Sequence, residues 1–152
     1  MMQLKEGDTA PDFELDDTNG RKVKLSSLKG KTTILYFYPK DDTPGCTTEA
    51  CSFRDDIAQF KKKQAVVLGI SRDDEDSHQK FTKKFDLNFP LLSDHDSQVS
   101  KLYGAYGPKV MYGKAAMGIT RMTFVIDQNL RIKKIFPKVN PEGHSKEILA
   151  LL

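Results

Sequence analysis

Two near-continuous runs of β-branched and aromatic residues constrain this chain most. Thr32-Thr33-Ile34-Leu35-Tyr36-Phe37-Tyr38 and Ala65-Val66-Val67-Leu68-Gly69-Ile70-Ser71 read as buried strands. A strand covered on both faces shows no polar alternation, and these show none. Pro39 stops the first, because proline has no amide hydrogen for the ladder. Between the runs, residues from about 44 to 63 carry a helical pattern. Cys46, Ala50, Phe53, Ile57 and Phe60 form one apolar stripe that should face the core. Thr43 suits the N-cap and Pro44 the first helical position.

The rest of the chain repeats this alternation. Phe13-Glu14-Leu15 and Arg21-Lys22-Val23-Lys24-Leu25 flank Asn19-Gly20, a hairpin signal. A second helix is expected from Asp74 to Phe85, a short strand at Pro90-Leu91-Leu92 and a short helix from Gln98 to Tyr103. Met122 to Ile126 and Leu130 to Phe136 flank Asp127-Gln128-Asn129 as an antiparallel hairpin. Asn140-Pro141 is expected to cap a last helix ending in Ile148-Leu149-Ala150-Leu151-Leu152. Alternating strands and helices, closed by a hairpin and a helix, give an α/β sandwich with a mixed central sheet. At 152 residues the chain reads as one domain, 1–152, with a substantial core. Tyr103 to Gly118 holds Gly104, Gly107, Gly113 and Gly118 and little periodicity, so it is expected to be a mobile loop beside the site. No Gly-Lys-Ser/Thr ending follows, which excludes a phosphate-binding loop.

Composition removes several function classes. Hydrophobic content of 38% and charged content of 30% fit a soluble globular protein. No apolar window is long enough for a membrane span. The N-terminus has no basic segment followed by an apolar run, so it is not a signal peptide and a cytoplasmic location is expected. Net charge is only +3. The run Lys61-Lys62-Lys63 falls where a helix should end, where cations favour the negative end of the dipole, so nucleic acid is not an expected partner.

The chain has two cysteines, Cys46 and Cys51. A cytoplasmic structural disulfide is disfavoured, which directs attention to redox chemistry or metal binding. His78, His95 and His144 show no metal-ligand spacing. Cys46 lies in the opening turn of the helix, where free amides and the dipole favour an anion, and thiols so placed have lowered pKa values. On the apolar stripe, it should point inward at the end of the Ile34-to-Tyr38 strand. Cys51 is about 140° further round and should face outward or sideways. Their Cα atoms stand roughly 8.5 Å apart in an intact helix. A disulfide rarely spans more than about 7 Å, so bonding the two requires the first turns to unwind. A reactive pair and two inert, packed cysteines both remain open on spacing alone.

At these residues the chain resembles the peroxiredoxins, specifically the bacterioferritin-comigratory or Q-type group. The motif Pro-x-x-x-Thr-x-x-Cys is matched by Pro39, Thr43 and Cys46. The second cysteine five residues on is matched by Cys51, and the arginine before a Thr-Phe-x-Ile-Asp strand by Arg121. The opening Gly7-Asp8-Thr9-Ala10-Pro11-Asp12-Phe13 is also similar, so the resemblance covers nearly the whole chain. It implies a thioredoxin-like fold with an N-terminal β-hairpin extension and helices flanking the sheet. It further implies reduction of hydrogen peroxide and organic hydroperoxides, with electrons from thioredoxin or a similar dithiol. Cys46 would be the peroxidatic cysteine, oxidised to a sulfenic acid, and Cys51 the resolving cysteine of an intramolecular disulfide. No metal or organic cofactor is implied. The group is commonly monomeric, with some dimers.

Ionisation does not account for a fast peroxidase. Lowering a thiol from about 8.5 to about 6 raises its thiolate fraction roughly 30-fold at pH 7. Nucleophilicity falls with pKa, at a slope near 0.4–0.5, and returns about tenfold of that. The remainder must come from stabilising charge on the leaving oxygen. Arg121 can donate to both the sulfur and a peroxide oxygen. Thr43 can accept from the peroxide, and Pro39 can shield the sulfur from water. Glu49 either complements the helix start or holds Arg121 in place. Met117, Tyr112 and Phe53 are candidates for the substrate entrance, and equally for packing. Besides the peroxidase, two readings stand. A thiol-disulfide oxidoreductase on the same fold would want Cys-x-x-Cys and a cis-proline where this chain has Thr120-Arg121. A non-catalytic module would merely sense oxidation.

Overall fold

The structure, a computed structural model, describes residues 3–111 and 113–152. A seven-stranded mixed sheet forms its centre, in the order β2 (Lys22–Lys24), β1 (Glu14–Asp17), β5 (Leu91–Ser93), β4 (Ala65–Ser71), β3 (Thr32–Phe37), β8 (Met122–Ile126) and β9 (Ile132–Phe136). The two apolar runs become its middle: β3 (Thr32–Phe37) pairs in parallel with β4 (Ala65–Ser71), and β4 with β5 (Leu91–Ser93). Alternation survives inside them despite the uniform hydrophobicity. Ile34, Tyr36 and Val67 face one layer, while Leu35, Phe37 and Leu68 face the other. On the first side pack α1 (Pro44–Lys62), α2 (Glu75–Phe85) and α4 (His144–Leu149), through Phe53, Phe60, Phe81 and Ile148. On the second lie α3 (Gln98–Leu102), Leu25 and the N-terminal segment, through Phe13, Val99 and Tyr103.

The hairpin of β1 (Glu14–Asp17) and β2 (Lys22–Lys24) extends one edge, with β1 antiparallel to β5. Its turn uses Gly20 at φ +77. Asp17 Oδ1 accepts from the amides of Asn19 and Arg21. At the other side, β8 (Met122–Ile126) runs antiparallel to β3 and to β9 (Ile132–Phe136). This pairing brings Arg121, one residue before β8, to the end of β3 from which α1 departs. None of the described helices is long and apolar enough to cross a membrane.

Two expectations need correction. The stretch from Tyr103 to Gly118 is not a loop: β6 (Tyr106–Met111) and β7 (Lys114–Ile119) form a separate antiparallel ribbon. Most of β7 is exposed, so no buried face imposed an apolar alternation. The last helix starts at His144 rather than after Asn140-Pro141. Asn140 Oδ1 instead accepts from the Glu142 amide, and Gly143 at φ 72 makes the N-cap. Thr43 does occupy the N-cap of α1, but its side chain makes no capping bond.

Candidate active site

Four backbone segments meet around Cys46: the loop after β3, the first turn of α1, the residue before β8 and the loop before α4. Cys46 is buried, and its stripe partners Ala50, Phe53 and Phe60 are equally so. Tyr36 supports the sulfur's neighbourhood from below, stacked on Phe53 at 4.7 Å between centroids. Gly69 lies opposite Tyr36 in the β3–β4 register, and a Cβ there would meet the phenol at 2.8 Å. A glycine is therefore what lets this ring lie flat beneath α1.

Arg121 joins the site across 75 residues. Its Nη2 donates to Cys46 Sγ at 3.4 Å and its Nη1 to Glu49 Oε1 at 2.7 Å. Glu49 is fully buried one turn beyond Cys46, and Arg121 is mostly covered. Burial pushes the Glu49 carboxyl up to about 7, against the pull of the Arg121 charge and hydrogen bond. Burial in turn disfavours the Arg121 cation, but Glu49 and Cys46 outweigh it, and the guanidinium is raised further. Gly45 makes this approach possible: a Cβ would stand 3.0 Å from Arg121 Nη2 and 3.7 Å from Pro141. Neither the role of Gly45 nor the covering by Pro141 was foreseen, since a Pro-Gly-Cys sequence reads equally as a helix start. A second cation lies nearby. Burial lowers the Lys109 ammonium, with Arg121 adding to the effect and Cys46 opposing it.

The remaining candidates are placed less directly. Thr43 is half-buried, and its hydroxyl donates to the Lys40 carbonyl at 2.9 Å. That commits its only proton and leaves its lone pairs as acceptors. Pro39 is half-buried two residues after β3. No hydrogen bond joins Thr43 or Pro39 to the sulfur among the described residues. Cys51 is half-buried and free, and α1 runs unbroken through both cysteines. Of the entrance candidates, Phe53 is core, Met117 is 56% exposed on β7, and Tyr112 lies outside the described residues.

This arrangement can hold a sulfur against a fixed guanidinium, with the Thr43 hydroxyl three residues before it in the chain. Comparison with known proteins agrees with that chemistry. The AhpC/TSA family matches residues 6–135. Peroxiredoxin Bcp of Bacillus subtilis strain 168 is 45% identical over 151 residues, covering 99% of this chain and 96% of its own. A crystallised mutant of Xylella fastidiosa PrxQ superposes with a TM-score of 0.93 at 35% identity, over 99% of this chain and 96% of that one. The Xanthomonas campestris bacterioferritin comigratory protein, described by its alkyl peroxide reduction activity, gives 0.89 at 36% identity, over 97% and 94%.

Proposed function

The chain belongs to the AhpC/TSA family as a peroxiredoxin, a cysteine-based peroxidase acting on hydroperoxides, and from that premise we propose that Cys46 is its peroxidatic nucleophile and Cys51 its resolver. The observation that supports this most is Arg121 bridging Cys46 Sγ and the buried Glu49.

In the first step the Cys46 thiolate attacks the terminal oxygen of the hydroperoxide. An S–O bond forms, the O–O bond breaks, and water or an alcohol leaves after gaining a proton from solvent, which replaces the one the thiol lost. Arg121 faces the charge that moves onto the departing oxygen, where a prearranged donor contributes most. Thr43 Oγ1, its proton given to Lys40, accepts from the peroxide O–H and orients it. In the second step the Cys51 sulfur attacks the sulfenic sulfur of Cys46, expelling water as the disulfide forms. The helix holds the two too far apart, so residues 44 to 51 must unwind between the steps. A dithiol reductant of the thioredoxin kind then returns both thiols. Alkyl hydroperoxides are included as substrates, as for the Xanthomonas campestris protein.

Stopped-flow oxidation of the reduced protein by one equivalent of hydrogen peroxide, followed by intact mass, tests this reading. The expected result is oxidation far faster than that of free cysteine, with a loss of two hydrogens. A rapid reaction that only adds one oxygen overturns the role of Cys51. Oxidation no faster than free cysteine overturns the peroxidatic role of Cys46.

A further inference from the structure

Asp41 and His78 form a buried polar cluster directly behind the catalytic loop. The imidazole is 0% exposed and the carboxylate 3%. His78 Nδ1 lies 2.7 Å from Asp41 Oδ2, and Nε2 lies 3.1 Å from the Leu92 carbonyl. A carbonyl only accepts, so Nε2 carries a proton. Asp41 also receives the Tyr38 hydroxyl at 2.5 Å and the Ser77 hydroxyl at 2.8 Å. Burial and the Asp41 charge hold that phenol well above its ordinary range, so it stays a donor. One carboxylate thus gathers the end of β3 and the first turn of α2. A buried cluster of this kind is rigid when every member has a partner, and costly to open.

The cluster reaches the reaction through a single peptide unit. The Asp41 amide donates to Asp73 Oδ2 at 2.8 Å, and Ser71 Oγ donates to the same oxygen at 2.7 Å. The other end of that planar unit is the Lys40 carbonyl, which takes the Thr43 proton. Fixing the Asp41 side chain and amide therefore fixes the direction of the Lys40 carbonyl. That direction decides whether Thr43 Oγ1 presents lone pairs to the substrate. Asp42, next in line, sits at φ 57, where a non-glycine residue persists only because its surroundings hold it. Lys84 grips its carboxylate with both oxygens in reach, at 2.9 and 3.2 Å.

We propose that His78 and Asp41, with Asp73, are positioning residues for the peroxide step, acting through the Lys40–Asp41 peptide to set the Thr43 hydroxyl as an acceptor; this rests on the reading of Cys46 and Thr43 given above. None of the network's hydrogen bonds ends on the sulfur, so it acts on the orientation of peroxide and not on the presence of a nucleophile.

The test compares two reactions of Cys46 in folded variants. Reaction with hydrogen peroxide needs Thr43, whereas alkylation by iodoacetamide does not. His78→Asn places an amide nitrogen where Nδ1 lies, toward Asp41. His78→Gln keeps one where Nε2 lies, toward Leu92. The expected result is that His78→Asn stays within about threefold of wild type toward peroxide, while His78→Gln falls about ten- to a hundredfold. Alkylation rates should be unchanged in both. Equal loss in the two variants, or parallel loss of peroxide and alkylation rates, overturns the proposal. So does a wild-type peroxide rate in His78→Gln. Should His78 variants fail to fold, Asp73→Ala removes the acceptor that the Asp41 amide shares with Ser71 Oγ and must show the same split. Wild type measured alongside separates the two ideas. Slow oxidation of wild type sinks the Cys46 assignment, whereas fast wild type with unaffected variants sinks the positioning role only.

Discussion

Arg121 Nη2 stands 3.4 Å from Cys46 Sγ, with Nη1 of the same guanidinium 2.7 Å from Glu49 Oε1. One planar cation thus ties the first turn of α1 to the start of β8. Its fork geometry matters as well as its charge, because one nitrogen is anchored while the other faces the sulfur.

Replacing Arg121 with Ala should lower the second-order rate constant for hydrogen peroxide about a hundred- to a thousandfold, the usual cost of losing a preorganised donor. Arg121→Lys keeps a positive charge but cannot hold Glu49 and the sulfur together, and should recover only a small part. Stopped-flow measurement on reduced protein reads both. Near-wild-type rates in Arg121→Lys would show that charge without the fork suffices.

Cys51 should matter only after the first oxidation. In Cys51→Ser the reaction with peroxide should proceed at the wild-type rate, and intact mass should show one added oxygen instead of two lost hydrogens. Far-UV circular dichroism adds a structural readout. Wild type should lose helical signal on oxidation, since residues 44 to 51 must unwind, and Cys51→Ser should keep it. An oxidised wild type with a full-strength helix and a Cys46–Cys51 bond would refute the unwinding step.

Much of this was legible before any coordinates. β3 and β4 announced themselves because both of their faces are buried, and the α1 stripe because it packs on them. The loop proposed as the site is legible for a different reason: Pro39, Thr43, Cys46 and Cys51 are close in sequence. What escaped notice depends on distance or exposure. β7 is mostly exposed, so no hydrophobic period marks that half of the ribbon. Asp41 and His78 are 37 residues apart, and His78 sits on a helix whose apolar pattern is carried by Phe81. Gly45 is a glycine for the sake of Arg121, which only the fold brings near.

Glu49 should give the protein an unusual pH dependence of stability. Its carboxyl rises from an ordinary 4.5 to about 7 in the fold, mainly through burial. Between those values the folded chain holds a proton that the unfolded chain has lost. Stability from this group is therefore complete below about 4.5 and is lost as pH rises through about 7. The loss by pH 8 amounts to about 3 kcal/mol. Urea unfolding of Cys46→Ser, which has no thiol at the site to titrate, should show this decline. Adding Glu49→Gln should remove it. Identical slopes with and without Glu49 would mean that Arg121 keeps the carboxylate ionised throughout.

The proposed unwinding of α1 needs a stopping point, and the contacts of Ser52 with α4 offer one directly after Cys51. Ser145 Oγ donates to Asp56 Oδ2 at 2.6 Å and lies 2.6 Å from Ser52 Oγ. Ser145 has one hydroxyl proton, and Asp56 takes it, so Ser52 is the donor to Ser145. Asp56 is nearly buried, with Lys146 3.4 Å from its other oxygen. Ser145→Ala would cut both bonds and leave that carboxylate short of a partner, costing about 1–3 kcal/mol of global stability. The first turns would then unwind more readily. The sulfenic acid should pass to the disulfide faster, and less of it should be overoxidised to sulfinic acid at high peroxide. Attack on the first peroxide should be unaffected, because Ser145 lies beyond the reacting atoms. Rapid acid quench followed by intact mass, which separates sulfenic acid, disulfide and sulfinic acid, reads each part. Slower disulfide formation in Ser145→Ala would show instead that this anchor guides Cys51 toward Cys46.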